Sequence, residues 1–206
     1  MLINCENIDN ARPVLIAGPT ASGKSAAALA IAQTQGRTIV NADALQVYEC
    51  WRVLSARPSA EDHAAAKHAL YGHVAWNVAY SVGAWLRDVA PFLREDPAPV
   101  IIGGTGLYFR ALTEGLVEIP PVPDAIRAQA DARMAQEGPE ALLADIDSET
   151  RARIDCQNHA RIQRAWEVHA TTGRGLAAWQ DETPPPLLPL QDAAPFLLEA
   201  EKGWLN

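Results

Sequence analysis

Eight consecutive residues near the amino terminus have the types and spacing of a phosphate-binding loop. They follow the pattern G-x-x-x-x-G-K-[ST] and comprise Gly18, Pro19, Thr20, Ala21, Ser22, Gly23, Lys24 and Ser25. An apolar run at 13–17 predicts a buried strand before the loop, and an Ala-rich run at 26–35 predicts a helix after it. In that setting backbone N–H groups surround a phosphate, Lys24 adds positive charge, and the Ser25 hydroxyl can hold magnesium (Mg²⁺). The pattern predicts binding of a diphosphate or triphosphate, the alternative being a chance match in an Ala/Gly-rich chain.

Two further polar groups follow predicted buried strands. Asp43 ends the run 37–43, and Thr105 comes just after the apolar run 99–102, within a glycine-rich segment. Because open α/β sheets bind ligands at the carboxyl ends of their parallel strands, we expect both side chains at the edge that carries the loop. Asp43 could accept a proton or only cap a helix, and the segment around Thr105 could contact a ligand or form only a structural turn.

The order of these segments predicts an α/β fold, a P-loop NTPase-like parallel sheet flanked by helices, with a helical insertion. We place the α/β core at 1–116, the insertion at 117–175 and a return to the core at 176–206. A proline-rich linker at 118–124 separates the first two, with Asp124 as a helix cap. Helices are predicted at 82–93, 125–137, 139–145 and 159–172, and a late strand at 196–199.

Composition restricts the class of protein. The chain has 206 residues, of which 49% are apolar, and it has three cysteines that form no C-x-x-C pair. No apolar run approaches about 18 residues and the start lacks a signal-peptide pattern, so we expect a reduced, cytoplasmic, monomeric protein outside the membrane. Three histidines lie five residues apart, a spacing that does not share one helix face, so no zinc site is expected at His63, His68 and His73.

Charge is unevenly distributed along the chain. The net charge of −8 argues against wholesale wrapping of nucleic acid, because phosphate contacts need Lys and Arg. Between residues 151 and 174, however, basic residues outnumber acids, the former being Arg151, Arg153, Arg161, Arg164 and Arg174. This segment is either an RNA-binding surface or an ordinary solvated helix face.

Taken together, these motifs resemble the bacterial tRNA dimethylallyltransferase family, also called tRNA isopentenyltransferases. The likeness runs from about residue 14 to the end of the chain, and the loop alone is shared with many nucleotide enzymes, whereas the set is specific. The matching stretches are 18–25, 41–48, 56–58, 80–83, 103–109 and 161–165.

The resemblance implies transfer of a dimethylallyl group from dimethylallyl diphosphate to N6 of adenosine 37, in the anticodon loop of tRNA. It implies that the loop residues 18–25 hold the donor's diphosphate with Mg²⁺, that Asp43 is the general base, and that Thr105 lies near the bridging oxygen. The residues expected to face tRNA are Asp43, Ala44, Leu45, Gln46, Arg127, Ala160, Arg161, Ile162, Gln163 and Arg164.

The chain departs from the family pattern at several points. Asn158 stands where many members have Asp, and Ser55 where Thr is usual. Members of the family also continue past residue 206, so we expect the chain to lack the C-terminal part and its activity to be affected. The alternatives are a P-loop small-molecule kinase and an inactive diphosphate-binding remnant. An adenylate isopentenyltransferase is disfavoured, because a free nucleotide has no need of the arginine-rich helix.

Overall fold

A single parallel sheet organises the part of the chain that the computed structural model describes, residues 7–199. Its strands are β1 (Val14–Ala17), β2 (Ile39–Asn41), β3 (His68–Ala69), β4 (Val100–Gly103) and β5 (Ala194–Leu197). Their order is β3-β2-β4-β1-β5, and every neighbouring pair is parallel. The carboxyl ends of β2, β4 and β1 are therefore adjacent at one edge. Residues 1–6 and 200–206 lie outside the described part.

The chain divides into two compact units. The first, here called the sheet unit, comprises residues 1–115 and 185–206, and the second, the helical unit, comprises 116–184. The sheet unit contains α1 (Lys24–Gln35), α2 (Ala60–Ala65), α3 (Val82–Val89), α4 (Gly106–Glu114) and two 3-10 turns, Phe92–Arg94 and Leu190–Asp192. The helical unit contains α5 (Asp124–Glu137), α6 (Pro139–Asp145), α7 (Ser148–Arg153), α8 (His159–Thr172) and α9 (Leu176–Gln180). The predicted α/β sheet with flanking helices is confirmed.

Both faces of the sheet are covered, which explains why its strands are continuous apolar runs. Leu15, Val40 and Ile101 pack with Trp85 of α3 and Leu112 of α4 on one face. Alternate residues point to the other face and pack against α1, namely Val14, Ile16, Ile39, Val100 and Ile102 with Ala28, Ile31 and Ala32. The period of two along each strand therefore assigns every side chain to one of two apolar layers.

Local capping fixes where several helices begin and end. The Ser59 side chain accepts from the Asp62 backbone N–H while Asp62 accepts from Ser59, so a capping box starts α2. Asn158 caps α8, and Gly173 ends it in the left-handed conformation. The Asp-to-Asn departure at 158 therefore leaves the cap in place.

Some element boundaries differ from those expected. Asp124 is the first residue of α5, and Pro123 holds the cap position with extended backbone. The sequence also does not predict β3, α4, α7 or α9. The strand β3 has two residues and α7 and α9 have six and five, so none presents enough turns or alternations for a periodic pattern. Among the described residues, no helix has the length and apolar character needed to cross a membrane.

Candidate active site

The phosphate loop joins the end of β1 to the start of α1. Gly23 takes the cap position of α1 with φ 84°, a left-handed conformation that favours glycine, and Ala21 is also left-handed with φ 63°. Left-handed residues at these positions turn backbone N–H groups of the loop inward toward a common point. Lys24 Nζ donates to the Pro19 carbonyl across the loop, and Ser25 is exposed in the first turn of α1. The loop therefore presents N–H groups, an ammonium and a hydroxyl at the positive end of a 12-residue helix.

The acid of the site lies in a turn just after β2. Asn41 is fully buried, and its side chain accepts from the Asp43 N–H at 2.9 Å and donates to the Asp43 and Leu70 carbonyls at 3.0 Å each. Asp43 Oδ1 accepts from the Leu45 N–H at 2.9 Å and the Gln46 N–H at 3.4 Å. No described residue donates to Oδ2. One carboxylate oxygen is thus used to hold the turn, and the other is left to accept a proton.

Thr105 connects the turn after β2 to the end of β4. Its hydroxyl oxygen accepts from the Ala44 N–H at 2.9 Å, and its own N–H donates to the Ala42 carbonyl at 3.3 Å. Because the hydroxyl oxygen already accepts, its proton remains to be donated to another oxygen. A Cβ on Gly103 would overlap the Ala42 carbonyl, so only glycine allows these two strand ends to approach this closely.

The three groups converge on one edge of the sheet. A Cβ built on Gly104 would lie 3.4 Å from Asp43 Oδ2 and 3.8 Å from the Gly18 carbonyl oxygen, so acid and loop flank the same glycine. Burial lowers the pKa of the Lys24 ammonium below its ordinary value, and the nearby Asp43 carboxylate opposes that shift. The expectation that Lys24, Asp43 and Thr105 share an edge is therefore met in the geometry.

A cavity of about 200 Å³ opens beside Ser25, between α1 and the segment leading into α2. Its lining is part apolar and part polar, the former including Leu29, Ile39 and Ile102 and the latter Arg57 and Asp62. Desolvation raises the pKa of the Tyr71 hydroxyl in this wall, and the Asp43 and Asp62 carboxylates add to the rise. The cavity has room for a small group next to the phosphate loop, and no motif in the sequence indicated it.

The residues expected to face RNA in the helical unit are not all exposed. Arg127 on α5 and Ala160, Arg161 and Arg164 on α8 are exposed. Ile162 is 1% exposed and packs in the core of the helical unit with Leu142 and Trp166, because the apolar face of α8 covers α5 and α6. Its side chain is therefore part of that core rather than of a surface.

Several other polar groups of the arginine-rich segment are engaged within the helical unit. Gln163 donates to Asp131 at 2.7 Å and to Glu167 at 3.1 Å. Arg153 pairs with Asp181 at 2.5 Å, and Arg174 pairs with Glu182 at 2.7 Å. Of the arginines in this segment, Arg151, Arg161 and Arg164 are exposed and form no ion pair with a described residue, so they are best placed to meet an anionic partner.

Asn41 and Trp85 support the Asp43 turn, a role that the sequence motifs did not indicate for either residue. Trp85 Nε1 donates to the Asn41 carbonyl at 2.8 Å, and its ring stacks on Tyr108 with centroids 4.5 Å apart. Asn41 therefore holds the Asp43 turn by direct hydrogen bonds, and Trp85 supports the turn through the Asn41 carbonyl. The one signal in the sequence is an amide side chain at the end of a buried strand, where an unpaired polar group would be costly.

Comparisons with known proteins identify the family that the chain resembles. A family described as IPP transferase matches residues 46–206, and one described as isopentenyl transferase matches residues 12–70. The tRNA dimethylallyltransferase of Ruegeria sp. (strain TM1040) is 58% identical over 205 residues, covering 100% of this chain and 70% of that protein. The protein of the same name from Cereibacter sphaeroides (strain KD131) is 59% identical, covering 100% of this chain and 65% of that one. This chain therefore spans 65% to 70% of the length of these relatives.

Solved structures show the same fold. A eukaryotic dimethylallyltransferase acting on tRNA superposes with a TM-score of 0.73 at 20% identity, over 92% of this chain and 49% of that one. A full-length tRNA isopentenylpyrophosphate transferase from Bacillus halodurans gives a TM-score of 0.50 at 29% identity, over 79% and 56% respectively.

Proposed function

The chain belongs to the IPP transferase family, and from that premise we propose that it transfers a dimethylallyl group from dimethylallyl diphosphate to N6 of adenosine 37 in tRNA. The observation that carries the proposal is the convergence of the phosphate loop, Asp43 and Thr105 on the carboxyl ends of three adjacent strands. The chain spans 65% to 70% of the length of these relatives. The test must therefore measure the transfer activity of the 206-residue chain itself.

The donor's diphosphate is assigned to the loop at 18–25. Backbone N–H groups, the Lys24 ammonium and the start of α1 supply positive potential there. The cavity beside Ser25 has room for the short apolar tail, and Leu29, Ile39 and Ile102 give that tail apolar surface to contact. An anion cradle next to a cavity of this size supports a prenyl diphosphate as the ligand.

The residues present fit Mg²⁺ held mainly by the diphosphate. In residues 7–199, no group of three or more His, Cys, Asp or Glu is placed to hold a metal by itself. Mg²⁺ is commonly held through substrate phosphates and one or two protein oxygens, and the exposed Ser25 hydroxyl at the start of α1 is an oxygen of that kind. When bound, the cation would neutralise charge on the departing diphosphate.

Asp43 and Thr105 can divide the chemistry between them. An exocyclic adenine amine is a weak nucleophile, so a proton acceptor must take its proton as the new C–N bond forms. Asp43 Oδ2 accepts that proton, the carbon–oxygen bond to the donor breaks, and diphosphate leaves with the bonding electrons. The Thr105 hydroxyl donates to the bridging oxygen as negative charge develops there, while the loop and Lys24 stabilise the rest of that charge.

The acceptor side is assigned to RNA. The adenine must leave its stack to reach Asp43, which is least costly in a single-stranded loop such as the anticodon loop. Ala44, Leu45 and Gln46 continue from Asp43 and so border the acceptor. We assign backbone contacts to Arg127, Ala160, Arg161 and Arg164, of which the three arginines suit RNA phosphates. We take the monomer as the working unit, and tRNA as the substrate supports a cytoplasmic site of action.

The test uses labelled dimethylallyl diphosphate, Mg²⁺ and unmodified tRNA with the wild-type chain and Asp43→Asn. Asparagine keeps an oxygen for the Leu45 and Gln46 N–H groups but cannot accept the proton, so donor binding should persist while transfer falls about 100-fold or more. Lys24→Met should weaken donor binding and transfer together. Full transfer by Asp43→Asn would refute the base assignment.

Two other results would redirect the proposal. Tight ATP binding and phosphoryl transfer without affinity for dimethylallyl diphosphate would identify a small-molecule kinase, which the loop and Asp43 alone would also permit. Donor binding by the wild type without transfer, restored only when the C-terminal part of a relative is added, would identify a diphosphate-binding remnant.

A further inference from the structure

The sheet unit exposes a group of large apolar side chains in two segments that follow Asp43, residues 45–54 and 76–78. They are 45% to 89% exposed, and we call them the apolar platform: Leu45, Trp51, Val53, Leu54, Trp76 and Val78. Single exposed apolar residues are ordinary, but six in two segments of one unit, two of them tryptophans, indicate a surface that meets a partner.

The platform is held in a defined shape. Within the loop 51–57, the Arg57 N–H donates to the Arg52 carbonyl at 3.1 Å, and the Ala56 N–H donates to the Val53 carbonyl at 3.1 Å. The Ser55 hydroxyl donates to the Trp51 carbonyl, and Ala56 takes a left-handed φ of 53°, which costs free energy in a residue with a Cβ. An ordered loop that turns Val53 and Leu54 outward is suited to contact with a partner.

Backbone pairing brings the two tryptophans of the platform to one end of the unit. Tyr48 and Val74 form a parallel bridge, extended by the Glu49 N–H donating to Val74 at 2.9 Å and the Val74 N–H donating to Val47 at 3.0 Å. Both segments run in the same direction past this bridge. Trp51 and Trp76 therefore leave it on the same side, each only a few residues further on.

One residue joins the platform to the acid of the site. The Gln46 N–H donates to Asp43 Oδ1 at 3.4 Å, and the Gln46 side chain donates to the Ser55 carbonyl at 2.8 Å. The Gly72 N–H donates to the Gln46 carbonyl at 2.9 Å, which ties in the segment leading to Trp76. The acceptor position and the apolar platform are therefore neighbouring parts of one hydrogen-bonded structure.

We infer that the apolar platform stacks against the unpaired bases that flank the reacting adenine in the RNA substrate. The inference rests on the proposed function, since an adenine drawn out of its stack leaves neighbouring bases without partners and with their faces exposed. Tryptophan rings stack on any base, and aliphatic side chains cover the remaining apolar surface. The exposed charges of this loop, Glu49 and Arg52, are of opposite sign, so contact here depends on stacking rather than on phosphate.

The experiment measures affinity for a fluorescently labelled RNA hairpin with the sequence of an unmodified anticodon stem–loop. Trp51→Ala should weaken binding about 10-fold, the usual order for one lost base stack, and Trp51→Phe should restore most of it. Leu54→Ser should weaken binding less. The matched control is Leu190→Ser, because Leu190 is 52% exposed and lies in the 3-10 turn before β5, an edge strand that β4 and β1 separate from β2.

Salt dependence separates stacking from charge. The slope of log affinity against log salt should be the same for Trp51→Ala and the wild type, whereas Arg161→Ala should reduce it by about one unit. Affinity for dimethylallyl diphosphate should be unchanged in every platform variant, which also shows that the sheet unit is folded.

Each contrary result overturns the inference in a distinguishable way. If the wild type binds the hairpin and Trp51→Ala binds it equally well, the platform does not contact RNA and the proposed function stands. If the wild type binds donor but neither binds nor modifies RNA, the proposed function and the inference both fail. If sedimentation shows a dimer that Leu54→Ser dissociates, the platform is covered by a second copy of the chain instead.

Discussion

Replacing Asn41 with alanine should remove the support of the Asp43 turn without touching the phosphate loop. The change deletes three hydrogen bonds of 2.9 to 3.0 Å and leaves the N–H and carbonyl of Asp43 and the Leu70 carbonyl without this partner. At roughly 1 kcal/mol for each bond, the free energy of unfolding should fall by about 3 kcal/mol. For a chain of this size that corresponds to a decrease of about 6–12 °C in melting temperature.

The same substitution should affect the chemical step more than donor binding. Misplacing a reacting group by about 1 Å can cost roughly 100-fold in rate, and Asp43 would lose the contacts that fix both its N–H and its carbonyl. Donor affinity should remain near the wild-type value, because the loop at 18–25 follows β1 rather than β2. Calorimetry with dimethylallyl diphosphate and single-turnover transfer to tRNA measure the two effects separately.

Thr38→Val provides the matched control for Asn41→Ala. Thr38 is also a buried polar residue of the β2 segment, 6% exposed, but its hydroxyl donates to Glu95 at the opposite end of the strand. It should lower stability by about 1 kcal/mol and leave the transfer rate unchanged. If Asn41→Ala slowed transfer no more than Thr38→Val, the positioning argument would be wrong. If it left the unfolding free energy unchanged, the hydrogen bonds would not contribute as reasoned.

Two further predictions concern stability. Gly103→Ala should destabilise the sheet unit by about 1–3 kcal/mol in thermal unfolding, because its Cβ would overlap the Ala42 carbonyl. The control Gly106→Ala has open space around its Cβ and should be neutral or stabilising. Equal effects of the two substitutions would refute the steric argument. A hydrogen bond from the Arg133 guanidinium, and a second from Trp166, hold the pKa of Asp145 below its ordinary value of 3.8. The carboxylate therefore stabilises the helical unit above pH 3.8, and this contribution is lost as the pH falls through the lowered pKa. Asp145→Asn should therefore lower stability at neutral pH by up to about 1 kcal/mol, since the pair is partly exposed, and urea unfolding at acidic pH should show the difference vanish.

The sequence predicts the sheet and the chemistry of its edge better than the surface that would surround a substrate. The loop at 18–25, Asp43 and Thr105 are identifiable because each follows a short run of buried strand residues, and parallel strands end at a common edge. The Ser59 and Gly173 caps follow from local side-chain chemistry alone. The roles given to these site residues remain predictions.

What the sequence does not predict depends on contacts distant along the chain. Ile162 belongs to a motif expected to face RNA, yet the helix carrying it packs on α5 and α6, and that burial decides its direction. The hydrogen bond between Gln46 and Ser55 and the bridge between Tyr48 and Val74 join segments that no periodic pattern in the sequence connects. The cavity beside Ser25 similarly depends on how α1 lies against the segment before α2.

The end of β4 argues for a transferase over an ATP-hydrolysing motor. Such ATPases usually place a magnesium-binding acid at the end of this strand, and this chain has Gly103 and Gly104 there. A Cβ at Gly104 would lie only 3.4 Å from Asp43 Oδ2, so an acid at that position would bring a second negative charge against the first. Like charges this close cannot both remain ionised at neutral pH without a compensating cation. Among residues 7–199, the glycines therefore leave Asp43 as the carboxylate beside the loop and Thr105, which is what the proposed role of Asp43 as a general base requires.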